Sequence, residues 1–275
     1  DRELIWGERP ESTANFGILK TMALLSESIF EFQKFTSAGN QIAEDLARQV
    51  LAEDPGNPYA YNMLGWTTSQ KISYGQSPDP AATLAEARQY ALKAIERDQE
   101  LVDSIGLLAT IDLYSLNFEA AIKNAEKAVS LNQGGATVAA LAGWVLTASG
   151  QPERGVELLK RAVRTQPYYP DWIPDRLIFG LIMLSSLEEA KALATARLPV
   201  GQPTFVQEAN LQLAMIAVMQ GDLETAKRHV AVVREMQPSL SVAGYMQRFY
   251  YYRDAEFMKA RMADLHAAGL PLKSP

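Results

Sequence analysis

The sequence predicts an all-α protein: a right-handed superhelical solenoid of about six helix pairs that ends in a C-terminal helical cap. Helical periodicity dominates along the chain, and alternating strand patterns are scarce. Apolar residues make up 48 % of the 275 residues, enough for the continuous core that stacked helix pairs require. A sequence repeat with a period of about 34 residues indicates that successive pairs are structurally equivalent.

Four segments carry this repeat, with small or apolar residues at the same offsets. They start at Ala87, Ala121, Gly155 and Ala226, and they end at Gln99, Gln133, Pro167 and Pro238. The first three ends are 133−99 = 34 and 167−133 = 34 residues apart, and the fourth follows after 238−167 = 71 residues. Such a period is typical of tetratricopeptide repeat (TPR) helix pairs.

Small residues are expected where the two helices of a pair touch. The first helices offer Gly65, Ala109, Gly143 and Ala214, and the second helices offer Ala87, Ala121, Gly155 and Ala226. Small side chains let two backbones approach and interdigitate densely. A large residue at Gly143 is therefore expected to overpack its pair, at a cost of about 1–3 kcal/mol.

Glycine and proline between the periodic segments predict the helix boundaries. We assign residues 1–13 to a linker from an upstream domain, 14–238 to the repeat array, and 239–275 to a capping helix pair and tail. A turn-rich insertion occupies residues 73–80. The candidate helices are 14–36, 41–53, 58–73, 82–97, 102–115, 118–131, 136–148, 152–165, 171–184, 187–198, 204–220, 223–236, 239–250 and 254–267.

Composition argues against several classes of partner. The net charge is −6, whereas nucleic-acid binding needs a basic stripe, so no nucleic acid is expected. No apolar run approaches the roughly 18 residues of a membrane span. The chain has no cysteine, which suits a reducing compartment, and we expect a cytoplasmic location. Because the chain begins at Asp1 without a methionine, we also expect a fragment of a longer protein.

Motifs for catalysis, cofactors and metals are absent from the sequence. It contains no H-E-x-x-H, G-x-S-x-G or G-x-G-x-x-G. The only histidines, His229 and His266, lie on separate predicted helices without ligand spacing. Asp171 and Asp175 are one helical turn apart and could meet a cation, but they better fit the start of a helix. We therefore expect no catalytic residue, no cofactor and no metal.

The candidate binding residues follow from TPR geometry, in which first-helix positions 2, 5, 9 and 12 line a concave groove. These positions correspond to Tyr59, Asn62, Trp66, Ser69, Asp103, Thr110, Thr137, Trp144 and Thr147. Trp66 and Trp144 share one repeat position, and aromatic anchors of this kind are frequent hot spots for a peptide or helix partner. The alternative is that both tryptophans pack between repeats.

A second candidate surface is the aromatic run Phe249, Tyr250, Tyr251 and Tyr252 in the terminal helix pair. It is expected to form a dimer or interdomain contact, or else to seal the last repeat. The first of these two alternatives includes a homodimer.

Several strings also match a known family. They include ELIW at residues 3–6 with STAN at 12–15, LAGW at 141–144, GQPE at 150–153, QPYYPDW at 166–172, YRDAEF at 252–257 and AAGLP at 267–271. The chain thereby resembles the C-terminal TPR region of bacterial class III adenylate/guanylate cyclases and of related winged-helix transcriptional regulators. It departs from that pattern at Gln99, Gln133 and Gly155, where aspartate-proline endings or alanine are usual.

The resemblance implies a non-catalytic regulatory module of a bacterial signalling protein, with any cyclase domain lying outside this sequence. We expect it to bind a protein or peptide, including the parent's own upstream domain, in the concave groove. A structural dimerisation scaffold and the sensor part of a winged-helix regulator are the alternatives. An enzyme that uses carboxylate chemistry is a third.

Overall fold

A computed structural model describes residues 10–165 and 169–273 of the chain. Residues 1–9 of the linker predicted at 1–13, and the last two residues of the tail, lie outside the described residues, while residues 10–13 belong to the first helix. The described part forms fourteen α-helices and one 3-10 helix. The helices are α1 (Pro10–Phe32), α2 (Ser37–Glu53), α3 (Pro58–Ser73), α4 (Pro80–Arg97), α5 (Val102–Tyr114), α6 (Phe118–Leu131), α7 (Ala136–Ala148), α8 (Pro152–Thr165), α9 (Trp172–Met183), α10 (Leu187–Arg197), α11 (Pro203–Met219), α12 (Leu223–Met236), α13 (Val242–Met246), the 3-10 helix (Gln247–Phe249) and α14 (Ala255–Ala267).

The all-α, paired architecture predicted from the repeat is confirmed. Consecutive helices pack against each other, as in the pairs α1/α2, α3/α4, α7/α8, α9/α10 and α11/α12. The chain divides into two compact units, unit 1 (Asp1–Leu107) and unit 2 (Leu108–Pro275). The core of unit 1 includes Ala47, Met63 and Leu64, whereas unit 2 has two larger apolar clusters. The handedness of the superhelix stays a prediction.

The predicted contacts between small residues occur where the helices of a pair touch. A Cβ added at Gly143 would lie 2.7 Å from the backbone oxygen of Gly155, and one added at Gly155 would lie 2.4 Å from that of Gly143. Ala121 and Ala226, which occupy the same repeat position as Gly155, are fully buried. The α7/α8 contact therefore requires glycine on both helices, whereas α4, α6 and α12 have a buried alanine at the same second-helix position.

Short polar side chains begin several helices by accepting a hydrogen bond from a free backbone N–H of the first turn. Thr36 accepts from Gly39, Asn57 from Ala60, and Asp79 from Ala82. Pro58 and Pro80 then occupy the first helical turn, where a missing N–H costs nothing. These local signals explain why α3 begins at the predicted residue. Of the insertion expected at residues 73–80, Ser73 ends α3 and Pro80 begins α4, so residues 74–79 lie outside the helices.

The first and the thirteenth helix differ from the sequence prediction. The helix expected at 14–36 runs from Pro10 to Phe32 and ends before Phe35, whose φ of 51° breaks helical geometry. The helix expected at 239–250 begins only at Val242, after the N-cap Ser241, and becomes a 3-10 helix at Gln247–Phe249. In the part of the chain that the structure describes, none of the helices has the length and apolar character needed to cross a membrane.

Candidate functional site

In unit 1, only part of the predicted groove set is accessible. Tyr59 is 53 % exposed, Asp103 is exposed, and Trp66 is half-buried with its ring centroid 6.3 Å from that of Phe32. The prediction is wrong for two polar members. Asn62 is buried and accepts a hydrogen bond from the Ser104 hydroxyl at 3.0 Å.

Ser69 is the other buried member, and its hydroxyl donates to the backbone oxygen of Trp66 at 2.8 Å. Both buried residues form a hydrogen bond within unit 1, and neither offers a surface to a ligand. Tyr59, Trp66 and Asp103 therefore remain the candidate binding residues of unit 1.

In unit 2, the predicted set divides in the same way. Thr137 is exposed, but Thr110 and Thr147 are buried. The Thr147 hydroxyl donates to the backbone oxygen of Gly143 at 2.8 Å and lies beside Gly155, so this position belongs to the packed α7/α8 contact. Trp144 is only 6 % exposed, which makes it unavailable as an open groove residue in this state.

The chain itself covers Trp144. The ring of Tyr251 meets that of Trp144 edge-on at 5.7 Å, and it lies tilted against that of Tyr114 at 5.0 Å. Trp144 and Tyr114 also meet edge-on, at 6.0 Å. Perpendicular aromatic pairs at these distances are favourable beyond the apolar area that they bury.

The expected dimer or interdomain surface is therefore wrong for three of its four residues. Phe249, Tyr251 and Tyr252 are buried within unit 2, whereas Tyr250 is 43 % exposed. Phe249 stacks on Phe179 at 5.4 Å with an interplanar angle of 9°. These side chains are buried because unit 2 provides facing aromatic rings on its first helices.

We use two names for the two sides of this contact. The C-terminal segment is residues 248–253. The first-helix face is the set of side chains that the first helices α5, α7, α9 and α11 of unit 2 present to that segment: Tyr114, Trp144, Arg176, Phe179 and Glu208.

Charged groups hold both ends of the C-terminal segment. Arg248 pairs with Glu208 at 2.8 Å, and Arg253 pairs with Glu119 at 3.4 Å. The guanidinium of Arg176 lies over the Trp144 ring at 5.2 Å and over the Phe249 ring at 5.8 Å. Cations over aromatic faces are attracted by the ring quadrupole, so Arg176 joins the two sides of the contact.

The same region contains a buried carboxyl group. Burial raises the pKa of Asp175 to about 6, although the neighbouring Arg176 opposes the rise. The Asp175 carboxylate accepts a hydrogen bond from the Gln212 amide at 2.8 Å. Burial also raises the pKa of Tyr252 well above its usual value, so this phenol is neutral at physiological pH.

Backbone groups contribute two further contacts. The amide of Arg253 donates to the backbone oxygen of Ala148 at 2.8 Å, at the end of α7. The Tyr250 hydroxyl donates to the backbone oxygen of Tyr114 at 3.0 Å, at the end of α5. The C-terminal segment thus contacts the ends of two first helices through the main chain as well as through its rings.

Sequence reasoning selected Trp144 but missed the other members of the first-helix face. Repeat positions identify where an anchor lies, but they carry no information on which distant segment meets it. An available signal was the charge pattern, since Arg248 and Arg253 enclose the four aromatic residues. The exposed apolar side chains of α1, which sequence reasoning did not single out, are Ile18, Leu19, Met22, Ile29 and Phe30.

Comparisons with known proteins concern the fold. A scan of protein-family models gives no match, and a search of curated proteins gives none. The chain is similar to the solved structure of PilF from Pseudomonas aeruginosa, with a TM-score of 0.55 and 14 % identity over 84 % of this chain and 97 % of that one. It is also similar to PilW, a type IV pilus biogenesis factor, with a TM-score of 0.55 and 15 % identity over 73 % and 88 %.

A thermophilic TPR protein from Thermus thermophilus matches with a TM-score of 0.49 and 16 % identity over 72 % of this chain and 98 % of that one. At these identities the similarity shows a shared arrangement of helices and nothing about partners. The repeat, the consecutive helix pairs and the similarity to PilF agree on a TPR-like all-α fold.

Proposed function

We propose that the chain is a non-catalytic protein-interaction module that binds a peptide or a domain of its parent protein through its first helices. The contact between the C-terminal segment and the first-helix face carries this proposal. There, first helices bind a stretch of polypeptide with aromatic rings, an ion pair from Glu208 and main-chain hydrogen bonds, and Glu119 of the second helix α6 adds another ion pair. These are the kinds of contact by which protein interfaces recognise a partner.

Among its described residues, unit 1 has related chemistry without such a cover. Tyr59 is exposed, and Trp66 occupies in α3 the repeat position that Trp144 occupies in α7. Exposed or half-buried aromatic residues supply large contact areas at a small cost in side-chain entropy. We therefore propose that Tyr59 and Trp66 anchor the external partner, with Asp103 favouring a basic residue in it.

The identity of the parent belongs to this proposal too. The resemblance of local strings to TPR regions of bacterial cyclases and winged-helix regulators supports a regulatory role within a signalling protein. Under this proposal, partner binding in unit 1 changes the output of an upstream domain. The sequence of the encoding locus tests the parent directly, because a cyclase domain carries paired metal-binding aspartates.

The dimerisation scaffold is the weaker alternative. Phe249, Tyr251 and Tyr252, which would have formed the dimer contact, are buried inside unit 2. Only Tyr250 remains partly exposed, and its hydroxyl already bonds the backbone of Tyr114.

A peptide library displayed on phage and selected against the immobilised chain tests the proposed function. Enriched peptides are synthesised, and their affinities for wild type and for a Tyr59→Ser/Trp66→Ala variant are measured by fluorescence anisotropy. Because truncated hot spots cost 2 kcal/mol or more, the variant should bind about 30-fold more weakly.

Leu131→Ser, which alters an exposed apolar residue on a second helix, is the matched control and should bind as wild type does. Equal affinity of the folded double variant for every enriched peptide would contradict the proposal. Failure of the library to yield any binder would do so as well.

A further inference from the structure

We infer that the first-helix face of unit 2, together with Glu119 of α6, is a second binding site, specific for an aromatic peptide with an arginine at each end, and that the C-terminal segment occupies it as an internal ligand. The inference deepens the proposed function, on which it rests, by naming the ligand chemistry of one surface. It also implies competition, because an external peptide of the same chemistry must displace the segment.

The path of the segment is the first argument. In a repeat array, each repeat contacts only its neighbours. A terminal cap should therefore rest on the last helix pair, as α14 does on α11. The C-terminal segment instead reaches back to Tyr114, 136 residues earlier, and to Ala148. It crosses several first helices, as a bound peptide would, instead of extending the stack.

Charge complementarity is the second argument. The segment has an arginine at each end, and an acidic residue of unit 2 faces each of them: Glu208 for Arg248 and Glu119 for Arg253. Between these ends, Tyr251 contacts Trp144, and Phe249 stacks on Phe179. The two ion pairs set the length of a ligand, while the rings provide apolar contact area.

The conformation of the segment is the third argument. The 3-10 helix ends at Phe249, and residues 250–254 form turns and bends until Asp254 caps α14 by accepting from the Phe257 amide. Because its backbone is irregular, the C-terminal segment can detach from the first-helix face without the unwinding of a long helix. Ser241 likewise caps α13 on the other side, so both flanking helices have their own start signals.

Incomplete hydrogen bonding is the fourth argument. Among the residues that the structure describes, the indole N–H of Trp144 and the hydroxyl of Tyr252 are buried without a hydrogen-bond partner. Unsatisfied buried polar groups are costly in a contact that is otherwise well packed. A competing peptide with an acceptor beside Trp144 would satisfy the indole and could therefore displace the internal segment.

The test uses the full chain and a fluorescently labelled peptide with the sequence of residues 246–254. The internal segment lowers the apparent affinity of wild type for this peptide, because only the fraction of molecules with an open site can bind. A Tyr251→Ala/Arg253→Ala variant, called the loosened variant below, loses internal contacts to Trp144, Tyr114 and Glu119. It keeps these three side chains, which belong to the receptor side of the contact. We expect it to bind the peptide about tenfold more tightly than wild type.

Two controls make the result specific. Glu119→Ala, introduced into the loosened variant, removes an exposed receptor carboxylate and should weaken peptide binding, whereas Glu126→Ala on the same helix should not. A peptide with glutamate in place of both arginines should not bind. Circular dichroism and thermal melting check that each variant is folded, and the single Arg253→Ala variant replaces the double one if the latter unfolds.

Equal or weaker binding of the peptide by the folded, loosened variant would overturn the inference, as would equal binding of the charge-reversed peptide. This failure is distinguishable from failure of the proposed function. Library peptides that depend on Tyr59 and Trp66 would still bind if only the internal ligand were wrong. Loss of those peptides, with the 246–254 peptide still bound, would instead overturn the unit 1 proposal.

Discussion

Replacing Gly155 with alanine should separate the α7/α8 pair. The new Cβ would lie 2.1 Å from the Thr147 hydroxyl oxygen, 2.4 Å from the Gly143 backbone oxygen and 2.7 Å from the Thr147 backbone nitrogen. Two of these three atoms belong to the backbone, so a change of side-chain rotamer cannot relieve the clash. The two helices must move apart by about 1 Å to restore van der Waals contact, which begins at roughly 3.5 Å between heavy atoms.

Two opposing effects determine the size of the change in the free energy of unfolding. Overpacking of a well-packed contact costs about 1–3 kcal/mol, and a backbone clash belongs at the upper end of that range. Alanine gains about 1 kcal/mol over glycine inside a helix. Gly155→Ala should therefore destabilise unit 2 by about 2 kcal/mol.

Urea unfolding followed by far-UV circular dichroism measures this change as a shift of the midpoint. Gly134→Ala is the matched control, because a Cβ there has no atom within 4 Å and the backbone needs no left-handed conformation. It should shift the midpoint little. A Gly155→Ala variant as stable as wild type, or more stable, would refute the reasoning about close backbone contact.

Three further predictions concern single residues. Burial raises the pKa of Asp175 from 3.8 to about 6, so the folded state binds the proton more tightly than the unfolded state. The free energy of unfolding should therefore fall by at most ~3 kcal/mol as the pH rises from about 4 to about 6. Asp175→Asn should flatten this fall in a series of urea midpoints against pH, and an unchanged pH profile would contradict the assignment. Asp79→Ala removes the cap that accepts from the Ala82 amide and should cost about 1 kcal/mol in the same assay, whereas no loss would show that the cap is dispensable. Gly17→Ala, in an open position of α1, should raise stability by up to about 1 kcal/mol, and a loss would indicate a contact at that position.

The repeat predicted the parts of the fold that depend on neighbouring helices. Gly143 and Gly155 were expected to meet because a helix pair needs small residues at the contact, and each is within clashing distance of the other's backbone. Local capping chemistry likewise predicted where α3 begins. Such features depend on residues close in sequence or in adjacent helices, where spacing alone carries the information.

The candidate site was less predictable, for a physical reason. Trp144 was recognised as an aromatic anchor, but what covers it is Tyr251, 107 residues later by 251−144 = 107. Many arrangements can bury a cluster of tyrosines, and no repeat period relates the C-terminal segment to the first helices. Asn62 and Ser69 show a second limit: a polar residue at a groove position can turn to a neighbouring helix or to its own backbone instead of to solvent.

Thiol labelling tests most directly whether the C-terminal segment behaves as a ligand or as permanent core. The natural chain has no cysteine, so a single introduced thiol reports on its own site. Tyr252→Cys places that thiol in the segment, and Leu159→Cys places it in the fully buried α8 core as a reference.

If the segment opens locally, the Tyr252→Cys variant should react at least about tenfold faster than the Leu159→Cys variant under native conditions. Added 246–254 peptide should increase the rate further by holding the site open. Equal, slow labelling of both variants, unaffected by the peptide, would show that the segment leaves only on global unfolding and would contradict the account.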